Sequence, residues 1–77
     1  MVSINLLNVQ IGDTVRIRNF EGGIALAGRL RQYGLFIGDQ ARLIRVAPFA
    51  GPVLLEVNGR EIALGQGIAA KIIVEKI

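Results

Sequence analysis

One phrase occurs twice in this chain and constrains its fold more than any other feature. Ile11-Gly12-Asp13-Thr14-Val15-Arg16 returns as Ile37-Gly38-Asp39-Gln40-Ala41-Arg42. Each copy leads into an extended-looking run, Val15-Arg16-Ile17-Arg18 in the first and Arg42-Leu43-Ile44-Arg45-Val46 in the second. Gly accepts the positive φ that tight turns often need, and Asp can hydrogen-bond the local backbone amides before a strand starts. Two strand entrances built alike predict a small β barrel.

The remaining pattern fills in that barrel. A first strand is expected near Thr14 to Phe20, with Val15 and Ile17 inward and Arg16 and Arg18 outward by the two-residue period. Ahead of it, Leu6, Leu7, Val9 and Ile11 form an apolar lead-in expected to tuck against the barrel. Ile24 to Tyr33 reads as a helix, because Leu26, Ala27, Leu30 and Tyr33 recur at spacings of three and four. Gly34 stands where a helix takes a left-handed C-terminal residue, and Leu35 can supply the apolar contact of such a cap. In the second repeat the alternation fails at Leu43-Ile44, and a β-bulge there would restore it. Val53, Leu55 and Val57 alternate into a third strand. Asn58-Gly59 is a strong hairpin signal, with Ile62 and Leu64 on the inner face of the returning strand. Gly65 to Ala69 reads as a turn or single helical turn, and Lys71 to Ile77 as a closing strand. The expected fold is mainly β, an SH3-like barrel of about five strands with one short α-helix.

Size and composition narrow the function classes. At 77 residues the chain is expected to be one domain, residues 1–77, and the whole protein. A domain this small buries about 60% of its unfolded surface. Yet hydrophobic residues make up 52% of it, so some apolar surface is expected to meet a partner protein or a second copy. No run approaches the length of a membrane span, and Met1-Val2-Ser3-Ile4-Asn5-Leu6-Leu7 lacks the basic start of a signal peptide. The expectation is therefore a cytoplasmic protein without membrane insertion.

The chemistry of catalysis is missing. The chain has no Cys and no His, and its carboxylates, Asp13, Glu21, Asp39, Glu56, Glu61 and Glu75, are scattered. That pattern predicts no enzyme, no cofactor and no side-chain metal site. Arg16, Arg18, Arg42 and Arg45 could hold phosphates, but a net charge of +3 is modest and few aromatics are available for stacking on bases. Solvation of an outer sheet face is the favoured reading, and nucleic acid the alternative. Phe36 and Phe49 fall in predicted loops, where each either folds back over a barrel end or stands exposed for a partner, and Leu54 alternates out of phase with the inward set. If those loops share one end of the barrel, Phe36, Phe49, Pro52 and Leu54, with Tyr33 and Arg45 around them, would form a partner-binding patch.

Set in order, Leu7, the Gly12 turn, Arg29-Leu30, Gly34-Leu35, Gly38, Gly51-Pro52, Leu64 and Ala69-x-x-Ile72-x-Val74 resemble the ferrous iron transport protein A family, the FeoA domain. The resemblance runs over almost the full length. Ile37 departs from it, since many members carry Pro before that glycine. The family is similar in fold to the SH3-like domain of iron-dependent repressors. The resemblance implies a cytoplasmic accessory or regulatory protein of ferrous iron uptake that acts by contact with the cytoplasmic part of a FeoB-type transporter, a partner that could recruit it to the inner face of the membrane. It supplies no catalytic or metal-binding motif. A regulator's SH3-like domain, separated from its DNA-binding domain, is a further alternative.

Overall fold

The two copies of the Ile-Gly-Asp phrase fold into the same structure. In the computed structural model, which describes residues 2–77, the Asp13 N–H donates to the Gln10 carbonyl at 3.0 Å and closes a four-residue turn. Asp13 Oδ2 accepts the Gln10 N–H at 3.3 Å. In the second copy the Asp39 N–H donates to the Phe36 carbonyl at 3.1 Å, and Asp39 Oδ2 accepts the Phe36 N–H at 2.9 Å. Gly12 and Gly38 occupy the third turn position at φ +93° and +95°, where a side chain would be strained.

Each turn feeds a seven-residue strand, β2 (Thr14–Phe20) and β3 (Gln40–Val46), and the two strands pair antiparallel through Val15 and Ala41. The pairing is reciprocal. The Gly12 N–H reaches the Leu43 carbonyl at 2.7 Å, and the Gly38 N–H reaches the Ile17 carbonyl at 2.8 Å. Both strands also bulge at equivalent places. Register shifts between Ile17 and Asn19 against the last strand, and between Leu43 and Arg45 against the next one. Arg18 and Ile44 are the extra residues, and each bulge bends its strand as a tightly curved sheet requires.

Four further strands complete the sheet: β1 (Ser3–Asn5), β4 (Val53–Val57), β5 (Arg60–Leu64) and β6 (Ile72–Lys76). The order is β1-β6-β2-β3-β4-β5, antiparallel throughout. The sheet curls in the SH3-like manner but does not close, leaving β1 and β5 as its edges. β4 and β5 meet through Asn58 and Gly59, both at positive φ, with Val57 opposite Arg60, a two-residue hairpin as the Asn-Gly pair predicts. The inward positions Val15, Ile17, Ala41, Leu43, Val53, Leu55, Val57, Ile62, Leu64, Ile72 and Val74 form one aliphatic core with Leu6, Leu30, Leu35 and Ala69.

Helix α1 (Gly23–Gln32) lays Leu30 on that core, with Leu26 and Ala27 half-buried beside it. Its C-terminus is closed by a Schellman motif. The Leu35 N–H bonds to the Leu30 carbonyl at 3.0 Å and the Gly34 N–H to the Arg31 carbonyl at 2.9 Å, with Gly34 at φ +87°. A single turn, α2 (Gln66–Ala69), joins β5 to β6.

Three expectations need correction. There are six strands rather than about five, because Ser3-Ile4-Asn5 pairs with Glu75-Val74-Ile73. Three residues with one apolar side chain carry no readable period. The lead-in is only half tucked. Residues Leu6–Asn8 form a 3₁₀ turn, whose three-residue repeat puts Leu6 and Val9 on one buried side and leaves Leu7 exposed, as Ile11 also is. Tyr33 does not lie on the buried face of α1. The chain reverses at Gly34, and Leu35 rather than Tyr33 is buried in the core alongside Leu30.

Candidate partner surfaces

The aromatic side chains expected to form one patch lie at opposite ends of β3. Phe36 is in the turn that enters the strand and Phe49 in the loop that leaves it. Seven residues of strand separate the two, on the order of 20 Å. The anticipated union of Phe36, Phe49 and Leu54 is thereby replaced by two surfaces of different character.

The first surface is the α1–β3 turn. Tyr33, Phe36 and Ile37 are 40%, 48% and 57% exposed within five residues of chain. Their backbone is held from several sides. The Schellman bonds fix Gly34 and Leu35, the Asp39 carboxylate fixes Phe36, and the Gly38 amide is tied to β2. Two arginines complete the frame, since Arg60 Nη2 donates to the Gly34 carbonyl at 3.3 Å and Arg16 Nη1 to the Gly38 carbonyl at 2.9 Å. Exposed aromatics on an ordered backbone with arginines at the rim have the composition of an interaction surface. Ile37 and Arg60 were absent from the expected set. Ile37 sits inside the repeated motif, whereas nothing local in the sequence marks Arg60 as a neighbour of Gly34.

The second surface is the β3–β4 loop. Ala47 and Pro52 continue the ladder through an N–H to carbonyl bond of 3.0 Å, and the Gly51 N–H closes a turn on the Pro48 carbonyl at 3.1 Å. Phe49 and Ala50, the central residues of that turn, both have positive φ, +58° and +57°. Phe49 stands 101% exposed, with Pro48, Ala50 and Pro52 exposed around it. Leu54 is half-buried, paired across to Arg45 and Ala63. Of the expected patch, this end therefore keeps Phe49, Pro52, Leu54 and Arg45 together, and Tyr33 with Phe36 belongs to the other.

The outward arginines divide as well. Arg18 Nε pairs with Glu75 Oε1 at 2.6 Å, and Arg16 is engaged by the Gly38 carbonyl. A cleft of about 300 Å³ lined by Arg16, Arg18, Glu75, Lys76 and Ile77 is thus internally compensated, the more so because Lys76 Nζ meets Asp13 Oδ2 at 3.3 Å. Arg42 and Arg45 remain exposed on β3. Among the described residues, no three metal-ligating side chains converge.

Comparison with known proteins gives a consistent result. The family model described as the FeoA domain matches residues 4–76. A protein of Methanocaldococcus jannaschii named "Putative Fe(2+) transport protein A" is 36% identical over 64 residues, spanning 83% of this chain and 76% of its own length. The crystal structure of an iron uptake regulatory protein (FeoA) superposes with a TM-score of 0.88 at 26% identity and covers both chains completely. ScaR, solved with bound Cd²⁺, is similar to 96% of this chain at 31% identity and a TM-score of 0.86, over 35% of its own length.

Proposed function

Since this chain belongs to the FeoA domain family of small accessory proteins of ferrous iron transport, we propose that it acts without catalysis, by contact with the cytoplasmic part of a FeoB-type transporter. The observation that carries the contact surface is the α1–β3 turn. It exposes Tyr33, Phe36 and Ile37 on a backbone already ordered by its own hydrogen bonds. A partner docking there meets a surface that loses little further conformational freedom, which favours affinity. The rim arginines Arg16 and Arg60 suit an acidic border on the partner. The working location that follows is the cytoplasmic side of the membrane, beside the transporter.

Calorimetric titration with the transporter's soluble cytoplasmic domain tests this reading. Phe36→Ala should weaken binding by about 1–2 kcal/mol, the usual size for an aromatic anchor, with the melting temperature unchanged because the ring is half exposed. Wild-type affinity in a folded Phe36→Ala variant would exclude this surface.

A further inference from the structure

The β3–β4 loop is chemically unlike the α1–β3 turn. From Val46 to Leu55, ten consecutive residues carry no side chain that can donate or accept a hydrogen bond. A protein interface surrounds its apolar centre with polar groups, and this hairpin tip has only Arg45, at its foot. Its backbone is also economical in exposed donors. Pro48 and Pro52 have no N–H, and the N–H groups of Ala47 and Gly51 are satisfied within the loop. Between residues 47 and 52, only Phe49 and Ala50 keep an N–H without a partner among the described residues. Few donors would lose water if this tip entered a medium of low polarity, while the carbonyls of Ala47, Phe49, Ala50 and Gly51, unpaired within the loop, hold it to the hydrated headgroup level rather than the hydrocarbon.

Geometry and charge agree with that destination. Two left-handed residues in succession, in a region L-residues avoid, lift Phe49 clear of the sheet. Beyond the last strand pair, Val46 with Val53, the tip extends about 7 Å by strand rise. That matches the depth of roughly 5–10 Å at which apolar groups rest at a bilayer surface. Exposed Arg45 stands at the foot of the hairpin, and no carboxylate lies between it and Glu56.

We propose that the β3–β4 tip is an interfacial wedge that seats Phe49 at the headgroup level of an anionic lipid bilayer, with Arg45 on the lipid phosphates. This requires no spanning segment, and no helix among the described residues is long and apolar enough to cross a membrane. It goes beyond the transporter contact and is tested without the transporter, so either reading can fail alone.

The chain contains no Trp, so Phe49→Trp creates a single fluorescent reporter at a fully exposed site. Vesicles of phosphatidylglycerol with phosphatidylcholine should shift its emission to the blue. Lipids brominated on the upper acyl chain should quench it. Phosphatidylcholine alone should do so more weakly. Phe36→Trp, at the far end of β3, should not respond. Adding Arg45→Gln to Phe49→Trp should weaken vesicle binding roughly fivefold, the effect of one basic residue near an anionic surface. Unchanged Phe49→Trp emission at high anionic lipid overturns the proposal. An equal response from Phe36→Trp does so too, because it means unspecific adsorption. A shift seen only with the transporter's soluble domain, in the absence of lipid, reassigns the tip to a protein pocket and likewise overturns it.

Discussion

Gly34 joins helix, turn and sheet at one position, and its substitution has a cost that can be worked out. At φ +87° the backbone lies in a region where an L-residue loses about 1–2 kcal/mol. Restricting the unfolded chain by replacing Gly returns about 0.4–1 kcal/mol of that. A Cβ at this position would also press on the Arg60 guanidinium, 2.9 Å from Cζ. The guanidinium is the end of a flexible side chain and can move, but it then gives up its 3.3 Å bond to the Gly34 carbonyl. For a long, exposed bond that loss is about 0.5 kcal/mol, the low end for hydrogen bonds. Gly34→Ala should therefore destabilise by roughly 1–1.5 kcal/mol and Gly34→Val by about 2, since a β-branched residue is the more strained at positive φ. Urea unfolding followed by circular dichroism, with an unchanged slope, gives the number. In an Arg60→Ala background the cost of Gly34→Ala should fall by about 0.5 kcal/mol, because the clash and the lost bond are already gone. Stability of Gly34→Ala within about 0.3 kcal/mol of wild type would refute the assignment of strain to this position.

Two further substitutions separate positioning from folding. Asp39→Ala removes the acceptor for the Phe36 N–H at 2.9 Å and should cost about 1 kcal/mol in urea unfolding; partner affinity should fall with it although Asp39 need not touch the partner, whereas unaltered affinity would mean the turn needs no such fixing. Asn5→Ala should also cost about 1–2 kcal/mol, because this one side chain accepts the Leu7 N–H at 2.9 Å and donates to the Ala70 carbonyl, tying the 3₁₀ turn to the segment before β6; a loss of a few tenths would show that β1 is held by its ladder alone.

What could be read from the sequence depended on whether a residue's role was set by its neighbours in the chain. The Gly-Asp turns, the Asn58-Gly59 hairpin, the Gly34 cap and the inward alternation of β2, β4 and β5 are local, and each was legible. The bulge at Ile44 was visible because it broke an apolar alternation; its counterpart at Arg18 was hidden, since Arg18 and Asn19 are polar and exposed in either register. Strand β1 was missed for a related reason, as its identity lies in its partner β6. Besides missing Ile37 and Arg60, the expected surface failed in how its residues are grouped. The place of Phe36 and Phe49 in loops left exposure and folding back over the barrel equally open, and their separation is a property of β3, which runs from one loop to the other. An aromatic can be placed in a loop from turn chemistry, yet whether two of them can grip one partner is decided by the strand between them. Here that strand sends one to an arginine-framed, hydrogen-bonded turn and the other to a hairpin tip without polar side chains, so a single chain of 77 residues presents two chemically distinct faces.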